Sequence, residues 1–493
     1  MKIYDFLIIG SGISGQTLAL RLARSNYKVL IVEKGNKDLN FHSTCYTKDS
    51  SLVSNKINYI EGIGGSVNLW AGRLMALNLK MNQKDEILVD TSKSYCSIKY
   101  LNLAIKHLKY MINDKSLDLS IDDFASIRDN LSGLNLIPAI WLRKIPRCNT
   151  KSKIYKSLSK DRNVTIRTDY DFIRLIWEND KVIGAEFKSG LKKISFFAEK
   201  VIMTSGCNGN IRNLLLDKKY NTNSPLLGHK SIGKYIIEHP IFLSKSFQKN
   251  KINLDSFTKP IYEKNIFKQF GLTNNQDSNL QSYVVVKKVL NDFEERAIDS
   301  LFNTIRELKR FKLNSIYKIL SILFQKKNNM PSSLFYSLPH TSIPRWVFKI
   351  LKLFAGSQKQ NNSLYRLAFH FTVKPDINNY AFIDNNNKLV CKVNLSEELQ
   401  LANKDIEEIS KKLFGDSTHI PNDVKFIDSS HLMGGTRIGL SSSDSVVDSN
   451  LKVHHAKNLY VVGSSTFPFF GVANPTLHII AQALWLSDNI KND

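Results

Sequence analysis

The chain of 493 residues holds only five cysteines, Cys45, Cys96, Cys148, Cys207 and Cys391. The number is odd and no C-x-x-C or Cys/His ligand spacing occurs, which argues against a disulfide framework and a zinc site and suits a reducing compartment. Long apolar runs are also missing. No window approaches about 18 uninterrupted apolar residues, so a membrane-spanning helix is not expected. The sequence opens Met1-Lys-Ile-Tyr-Asp5 and runs at once into an apolar strand, leaving no room for a charged, apolar and cleavable leader; export is not expected. Acidic residues are in short supply, 44 against 69 lysines and arginines, for a formal charge of +25. The hydrophobic fraction of 42% and charged fraction of 23% are nevertheless those of a globular chain. The length allows roughly two to four domains.

Compositional drift towards lysine accounts for much of the charge, but not for its clustering. Between residues 301 and 360 the basic residues run from Arg306 to Lys359 and Glu307 is the single acid. Ile316 to Leu323 and Ile343 to Phe354 interleave apolar residues with lysines at helical spacing, the pattern of basic helices that lie on an anionic bilayer. Two amphipathic helices packed on their own domain, with solvated lysine faces, would read the same way. Nucleic acid is not an expected partner, because no binding motif or aromatic-basic platform accompanies the charge. The expected location is cytoplasmic, with peripheral contact at the inner face of the membrane as the variant that the basic segment allows.

Phe6 to Ile9 reads as an apolar strand, Gly10-Ser-Gly12-Ile-Ser-Gly15 as a turn, and Leu18, Ala19, Leu22 and Ala23 as one face of the following helix. A second strand, Val29 to Val32, ends at Glu33. In such a βαβ unit the first glycine makes the tight turn, the second lets backbone approach a pyrophosphate and the third allows close helix packing, while the helix N-terminus holds phosphate. Gly10, Ser11, Gly12, Ser14 and Gly15 are therefore expected at a dinucleotide, with Glu33 on its adenosine ribose. FAD and NAD are not distinguished by this motif.

Further along, Gly62-Ile-Gly64-Gly65-Ser66-Val-Asn68-Leu-Trp70 suits a loop that passes close to a flat ligand, with Ser66 and Asn68 supplying hydrogen bonds. A glycine-rich surface turn has the same composition. Short strands are expected at Asn163 to Ile166, Phe172 to Trp177, Val182 to Phe187 and Lys200 to Met203. The final seventy residues carry His431-Leu-Met-Gly-Gly-Thr-Arg-Ile-Gly439 and Gly463-Ser464-Ser-Thr-Phe-Pro-Phe-Phe-Gly-Val-Ala-Asn474-Pro475-Thr476.

Together these blocks resemble the glucose-methanol-choline (GMC) family of FAD-dependent oxidoreductases. Val201 to Leu216, with Gly206 and Gly209, is similar to the family's returning strand, glycine turn and helix start, and Gly233 to Pro240 to its Gly-x-x-x-x-x-His-Pro block. The likeness covers roughly residues 1–80, 160–245 and 425–493, with an echo at Val373 to Leu401. Gly435 and Ile438 depart from the more usual Thr and Met. The resemblance implies an α/β chain with a discontinuous Rossmann-like FAD-binding domain built from 1–80, 160–245 and 425–493. An α+β substrate or cap domain on an antiparallel sheet would then come from 81–159 and 246–424, including the basic helical segment 301–360.

It further implies FAD as cofactor, held by the residues above together with Gly64, Gly65, Gly206, Gly463, Ser464, Pro475 and Thr476. His431 would be the base that takes the hydroxyl proton while hydride leaves the substrate carbon, and Asn474 its partner on the same oxygen. Asn474 before Pro475 also reads as an N-cap of the last helix, whose N-terminus would favour negative charge beside it. Leu69 stands where several members carry a histidine bonded to the flavin, so the cofactor is expected to be non-covalent. The substrate is expected to be an alcohol, a sugar, polyol or glycan precursor; flavin-dependent lyase or decarboxylase chemistry, or a lipid or sterol at a membrane surface, is the alternative. The electron acceptor stays open among oxygen, quinone and a partner protein. No metal is expected.

Overall fold

The computed structural model describes the chain except residues 1–2, 54–58, 71, 76–94, 115, 125–126, 129–133, 249–260, 264, 274–281, 290–363, 422–423, 470–473 and 493. The basic segment 301–360 therefore lies outside the described residues.

The chain opens with strand β1 (Ile3–Ile9), helix α1 (Ile13–Arg24) and strand β2 (Val29–Val32). All four residues of β2 are buried, the continuous apolar run of a strand covered on both faces. Strands β3 (Val164–Arg167), β4 (Asp171–Glu178), β5 (Lys181–Ser189), β6 (Lys192–Met203) and β7 (Leu459–Val461) complete a seven-stranded sheet ordered β3-β2-β1-β6-β5-β4, with β7 on β6. Strands β3, β2, β1, β6 and β7 pair in parallel, and β4 and β5 are antiparallel. Ile9 lies beside Met203 and Val32, so the ends of β1, β2 and β6 open on one edge. The β4-β5-β6 meander turns at Asn179 and Gly190, both at positive φ.

A second sheet of eleven strands is assembled from distant stretches. Its main path runs from Leu52–Val53 through Phe426–Ile427, Ile241–Leu243, Leu364–Phe371, Ser282–Val289, Ile266–Thr273 and Asn135–Leu142 to Arg73–Leu74. Neighbours along it are antiparallel apart from the first pair. Helices α2 (Ile98–Ile112), α3 (Lys153–Lys160) and α4 (Gly206–Tyr220) precede helix α5, Ser396–Phe414. It buries Ala402, Ile406, Ile409 and Leu413 in one apolar cluster with Tyr365, Phe369 and Phe371, the 3.6-residue repeat of a helix facing a sheet.

Helix α6 (Thr476–Asn489) packs on α1 and α2, and α3 packs on α1. Helix α2 also touches α3, and α3 touches β3. Their apolar faces, with Leu101, Ala104, Leu108, Ile154 and Leu158 at most 1% exposed, share the core of α1 and α6. Among the described residues no helix is long and apolar enough to cross a membrane.

Candidate active site

The three glycines after β1 do different structural work. Gly10, at φ +110, turns the chain; its N–H donates to Val32 at 2.8 Å and its carbonyl accepts from Thr204 Oγ1 at 2.7 Å. A Cβ on Gly15 would lie 2.1 Å from the Gly10 oxygen, so only glycine lets α1 pack onto the turn. A Cβ on Gly12 would find nothing closer than the Thr204 oxygen at 3.8 Å. Space is kept open there, in front of the first turn of α1, where no side chain caps the helix. Open space over a glycine at an uncapped helix start is what a pyrophosphate needs. Ser14 is buried in the same turn.

Glu33 is occupied inside the protein. One carboxylate oxygen accepts the Ser11 N–H and hydroxyl, both at 2.8 Å; the other accepts the N–H groups of Gly35 (3.2 Å) and Gly62 (3.3 Å). Burial pushes its pKa up and the four donors oppose that shift. The carboxylate therefore ties the dinucleotide turn to the glycine-rich loop, and Ser11 Oγ adds a bond from Gly64 N–H at 3.2 Å.

That loop needs its glycines. Gly64 and Gly65 have φ of +93 and +54, and a Cβ on Gly64 would meet Cys148 backbone at 2.7 Å. A Cβ on Gly65 would face Gly12 at 3.5 Å, which places the loop beside the phosphate-type turn. Ser66 is exposed and accepts from Ile60 N–H at 3.2 Å, so its hydroxyl is engaged within the loop. Asn68 donates to Ile63 at 3.0 Å and leaves a buried Oδ1 without a hydrogen-bond partner.

Three long-range segments meet beyond this loop. Gly434 and Gly435, at φ +76 and +83, allow Met433 to pair with Ile237 and Gly435 with Gly233; a Cβ on Gly434 would sit 2.1 Å from the Tyr235 oxygen. On their other side Gly434, Thr436 and Ile438 donate backbone N–H groups to Ser464, Ser465 and Thr466. Ser464 Oγ donates to Leu432, and Gln482 of α6 accepts from Gly463 N–H at 2.7 Å. Gly206 and Gly463 hold positive φ with no atom within 4 Å of a Cβ on Gly206 and only Asn210 Nδ2, at 3.7 Å, near one on Gly463.

This lacing brings His431 and Asn474, 43 positions apart, to a separation of 3.2 Å between Nε2 and Nδ2. Since an amide nitrogen only donates, His431 Nε2 carries the lone pair and its ring proton sits on Nδ1. Asn474 is 7% exposed and its Oδ1 has no hydrogen-bond partner. The His239 ring stands edge-on to His431 at 5.8 Å. Burial, then the neighbouring His239 and Arg73, push the His431 pKa down to about 3. The imidazole is therefore neutral throughout the ordinary pH range.

Asn474 does not cap the last helix. Helix α6 begins at Thr476, with Pro475 at its cap in helical conformation and no side-chain cap bond. Pro475 itself accepts the first helical bond, from Ile479 at 2.9 Å. Asn474 thus stands one residue too early to cap, and its amide turns to His431 instead.

Several residues of the site are silent in the sequence motifs. Gln16 ties Ser11 to Cys148 through Nε2, and Arg147 holds the glycine-rich loop by donating to the carbonyls of Val67 (3.0 Å) and Trp70 (2.7 Å). Asn210 joins Ser205 to Val462 and Ser465. Glu238 accepts the His431 N–H at 3.1 Å. For Gln16 and Asn210 the available signal was a polar residue on a buried helix; Arg147 and Glu238 lie outside helices and strands and carried none.

Residues 380–483 match the family model described as GMC oxidoreductase, and residues 8–71 match that of an NAD(P)-binding Rossmann-like domain. The chain is 33% identical over 93 residues to the fructose dehydrogenase large subunit of Gluconobacter japonicus, covering 19% of this chain and 17% of that one. It is 50% identical over 64 residues to the 6'''-hydroxyparomomycin C oxidase of Streptomyces lividus, covering 13% and 12%. These matches span less than a fifth of the relatives' own length. In fold it is similar to pyridoxine 4-oxidase from Mesorbium loti, with a TM-score of 0.61, 15% identity and 99% of each chain covered.

Proposed function

Because the chain belongs to the glucose-methanol-choline oxidoreductases, we propose that it binds FAD and oxidises the CH–OH group of a small-molecule alcohol. The observation that carries this reading is the 3.2 Å pair of a neutral His431 Nε2 and the buried Asn474 amide. FAD, when bound, supplies the hydride acceptor that no side chain provides. Gly12 and the first turn of α1, with Gly10, Ser11, Ser14 and Gly15 shaping them, would hold its phosphates. Gly64, Gly65 and the unpartnered Asn68 Oδ1, Gly206, Gly463, Ser464 and the start of α6 at Pro475 and Thr476 would line the rest. Glu33 already has four donors, and its role in this reading is to join the two glycine-rich segments.

Once the substrate hydroxyl replaces the Asn474 amide at the single lone pair of His431 Nε2, Nε2 accepts the hydroxyl proton and Asn474 Nδ2 donates to the oxygen it leaves, holding developing negative charge in place. Helix α6 has no acid in its first turn and no side-chain cap, so its N-terminus stabilises negative charge beside it by roughly 0.3–2 kcal/mol. An ordinary histidine base, with a pKa near 6.5, would lose activity as pH falls through about 6. Here the depressed pKa keeps Nε2 unprotonated. Anaerobic flavin reduction by alcohol is therefore expected to show no acid limb from the base above about pH 5; a limb near pH 6.5 that disappears in His431→Gln would contradict it.

Sugars, polyols and glycan precursors are the proposed substrate class, supported by the likeness to a fructose dehydrogenase large subunit and a 6'''-hydroxyparomomycin C oxidase. Anaerobic mixing with fructose, other sugars, polyols, paromamine and pyridoxine tests it through loss of the oxidised flavin absorbance. Bleaching by none of them, in protein that holds FAD, removes this reading. Leu69 offers no atom that bonds to the cofactor, and acid precipitation is expected to release all FAD into the supernatant. Flavin remaining with the pellet would show a covalent link elsewhere.

A further inference from the structure

His431 is delivered by a turn that the chain does not favour on its own. Ser430, just before it, has φ +64, and a non-glycine residue in this left-handed region costs about 1–3 kcal/mol unless its surroundings hold it there. The surroundings consist of two buried carboxyl groups. Glu238 Oε1 accepts the N–H groups of Ser429 at 2.9 Å and His431 at 3.1 Å, while Asp428 Oδ1 accepts that of Ser430 at 3.2 Å. The Ser429 hydroxyl also donates to Glu238 Oε1. Successive N–H groups turned inward around a left-handed residue form a concavity that binds anions. The protein fills this one with its own side chains.

Glu238 is 0% exposed and Asp428 1%. Burial and the neighbouring Asp428 push the Glu238 carboxyl well above the ordinary range, and its Oε2 has no hydrogen-bond partner. A buried carboxyl kept at such a place, one residue before His239 and two before Pro240, does little for stability that an apolar side chain would not do better. Its value lies in the three donors it gathers onto one oxygen.

We infer that Glu238 is a positioning residue for His431, its Oε1 holding the Ser429–His431 turn so that the imidazole Nε2 faces Asn474. Glutamine keeps an acceptor at that point; alanine does not. Only the kinetic half of the test rests on the proposed catalytic role of His431.

The FAD-loaded variants Glu238→Gln, Glu238→Ala and Ser429→Ala are compared by crystal structure and by stopped-flow flavin reduction with whichever alcohol of the panel bleaches the wild type fastest. In Glu238→Ala the His431–Asn474 separation should open beyond hydrogen-bond reach and kcat should fall on the order of 10²-fold with KM unchanged, the effect of a misplaced reacting group. Glu238→Gln should keep the 3.2 Å pair and a kcat within about fivefold of wild type, since it retains the acceptor. Ser429→Ala should fall between them. If Glu238→Ala does not hold FAD, the contrast between Glu238→Gln and Ser429→Ala decides. An intact pair with wild-type kcat in Glu238→Ala, or an equal loss in Glu238→Gln, overturns the inference. Undiminished reduction in His431→Ala removes the catalytic reading alone, and the crystal separations still judge the positioning.

Discussion

Replacing His431 with alanine is expected to give a yellow protein, loaded with FAD, whose flavin alcohols no longer bleach on the wild-type timescale. The base contributes about 10² to 10⁴-fold, some 3–5 kcal/mol of barrier. FAD should stay because the glycine turns proposed to line it do not depend on the imidazole: Thr204 Oγ1 donates to Gly10, Asn210 accepts from Ser205 beside Gly206, and Gln482 accepts from Gly463. Stability should drop by about 1–3 kcal/mol, because Asn474 Nδ2 loses its partner in a residue only 7% exposed and Oδ1 has none already. His431→Gln separates the two effects. It can accept from Asn474 and recover part of the stability, yet it cannot take up a proton, so its reduction rate should be as low as that of the alanine variant. Stopped-flow reduction and thermal unfolding of both holoproteins decide the matter. Reduction within tenfold of wild type in either variant would take His431 out of the proton transfer.

The parts of this molecule that could be read from its sequence are those whose cause is local. Strand β2 coincides with Val29 to Val32 because a strand buried on both faces must be a continuous apolar run. The meander of β4, β5 and β6 follows from Asn179 and Gly190, residues that tolerate positive φ. Gly10, Gly12 and Gly15 declared a dinucleotide turn for steric reasons that the Cβ contacts reproduce. What could not be read depends on partners far along the chain. Ile241–Leu243 and Phe426–Ile427 are strands of three and two residues that exist only through their neighbours, the first between Phe426–Ile427 and Leu364–Phe371, the second between Leu52–Val53 and Ile241–Leu243. Glu238, Asp428 and Gln16 would be placed on a surface by residue type; distant partners hold them inside, the His431 N–H for Glu238, the Val53 carbonyl for the Asp428 N–H and the Cys148 carbonyl for Gln16. Asn474 shows how a sound local rule can select the wrong job. Asn before Pro is a good cap signal, but Pro475 entered the helical region one step early and released the amide for His431.

Two substitutions in the opening turn should both abolish FAD binding, by opposite physical routes. Gly12 sits at φ −64 and ψ −173, a conformation any residue adopts, and its Cβ would meet nothing nearer than 3.8 Å. Gly12→Val therefore fits the protein, and the lost flexibility of the unfolded chain should leave the apoprotein equal to wild-type apoprotein or about 0.4–1 kcal/mol more stable. The methyl groups occupy the space in front of the α1 N-terminus, so phosphate loses charge-assisted bonds each worth about 1.5–3 kcal/mol and affinity should fall by 10²-fold or more. Gly15→Ala should fail differently. Alanine gains about 1 kcal/mol in helix propensity over glycine, but its Cβ would stand 2.1 Å from the Gly10 oxygen and 2.8 Å from Thr204 Oγ1. Backbone cannot yield as a side-chain tip does, and overpacking of this kind costs about 1–3 kcal/mol, outweighing the propensity gain. Helix α1 would move off the turn, and with it the core it shares with α6. Flavin content and unfolding of the apoproteins distinguish the routes, Gly12→Val being stable and colourless, Gly15→Ala unstable and colourless. Gly12→Val protein that still carries stoichiometric FAD would mean that the open space before α1 is not where the phosphates lie.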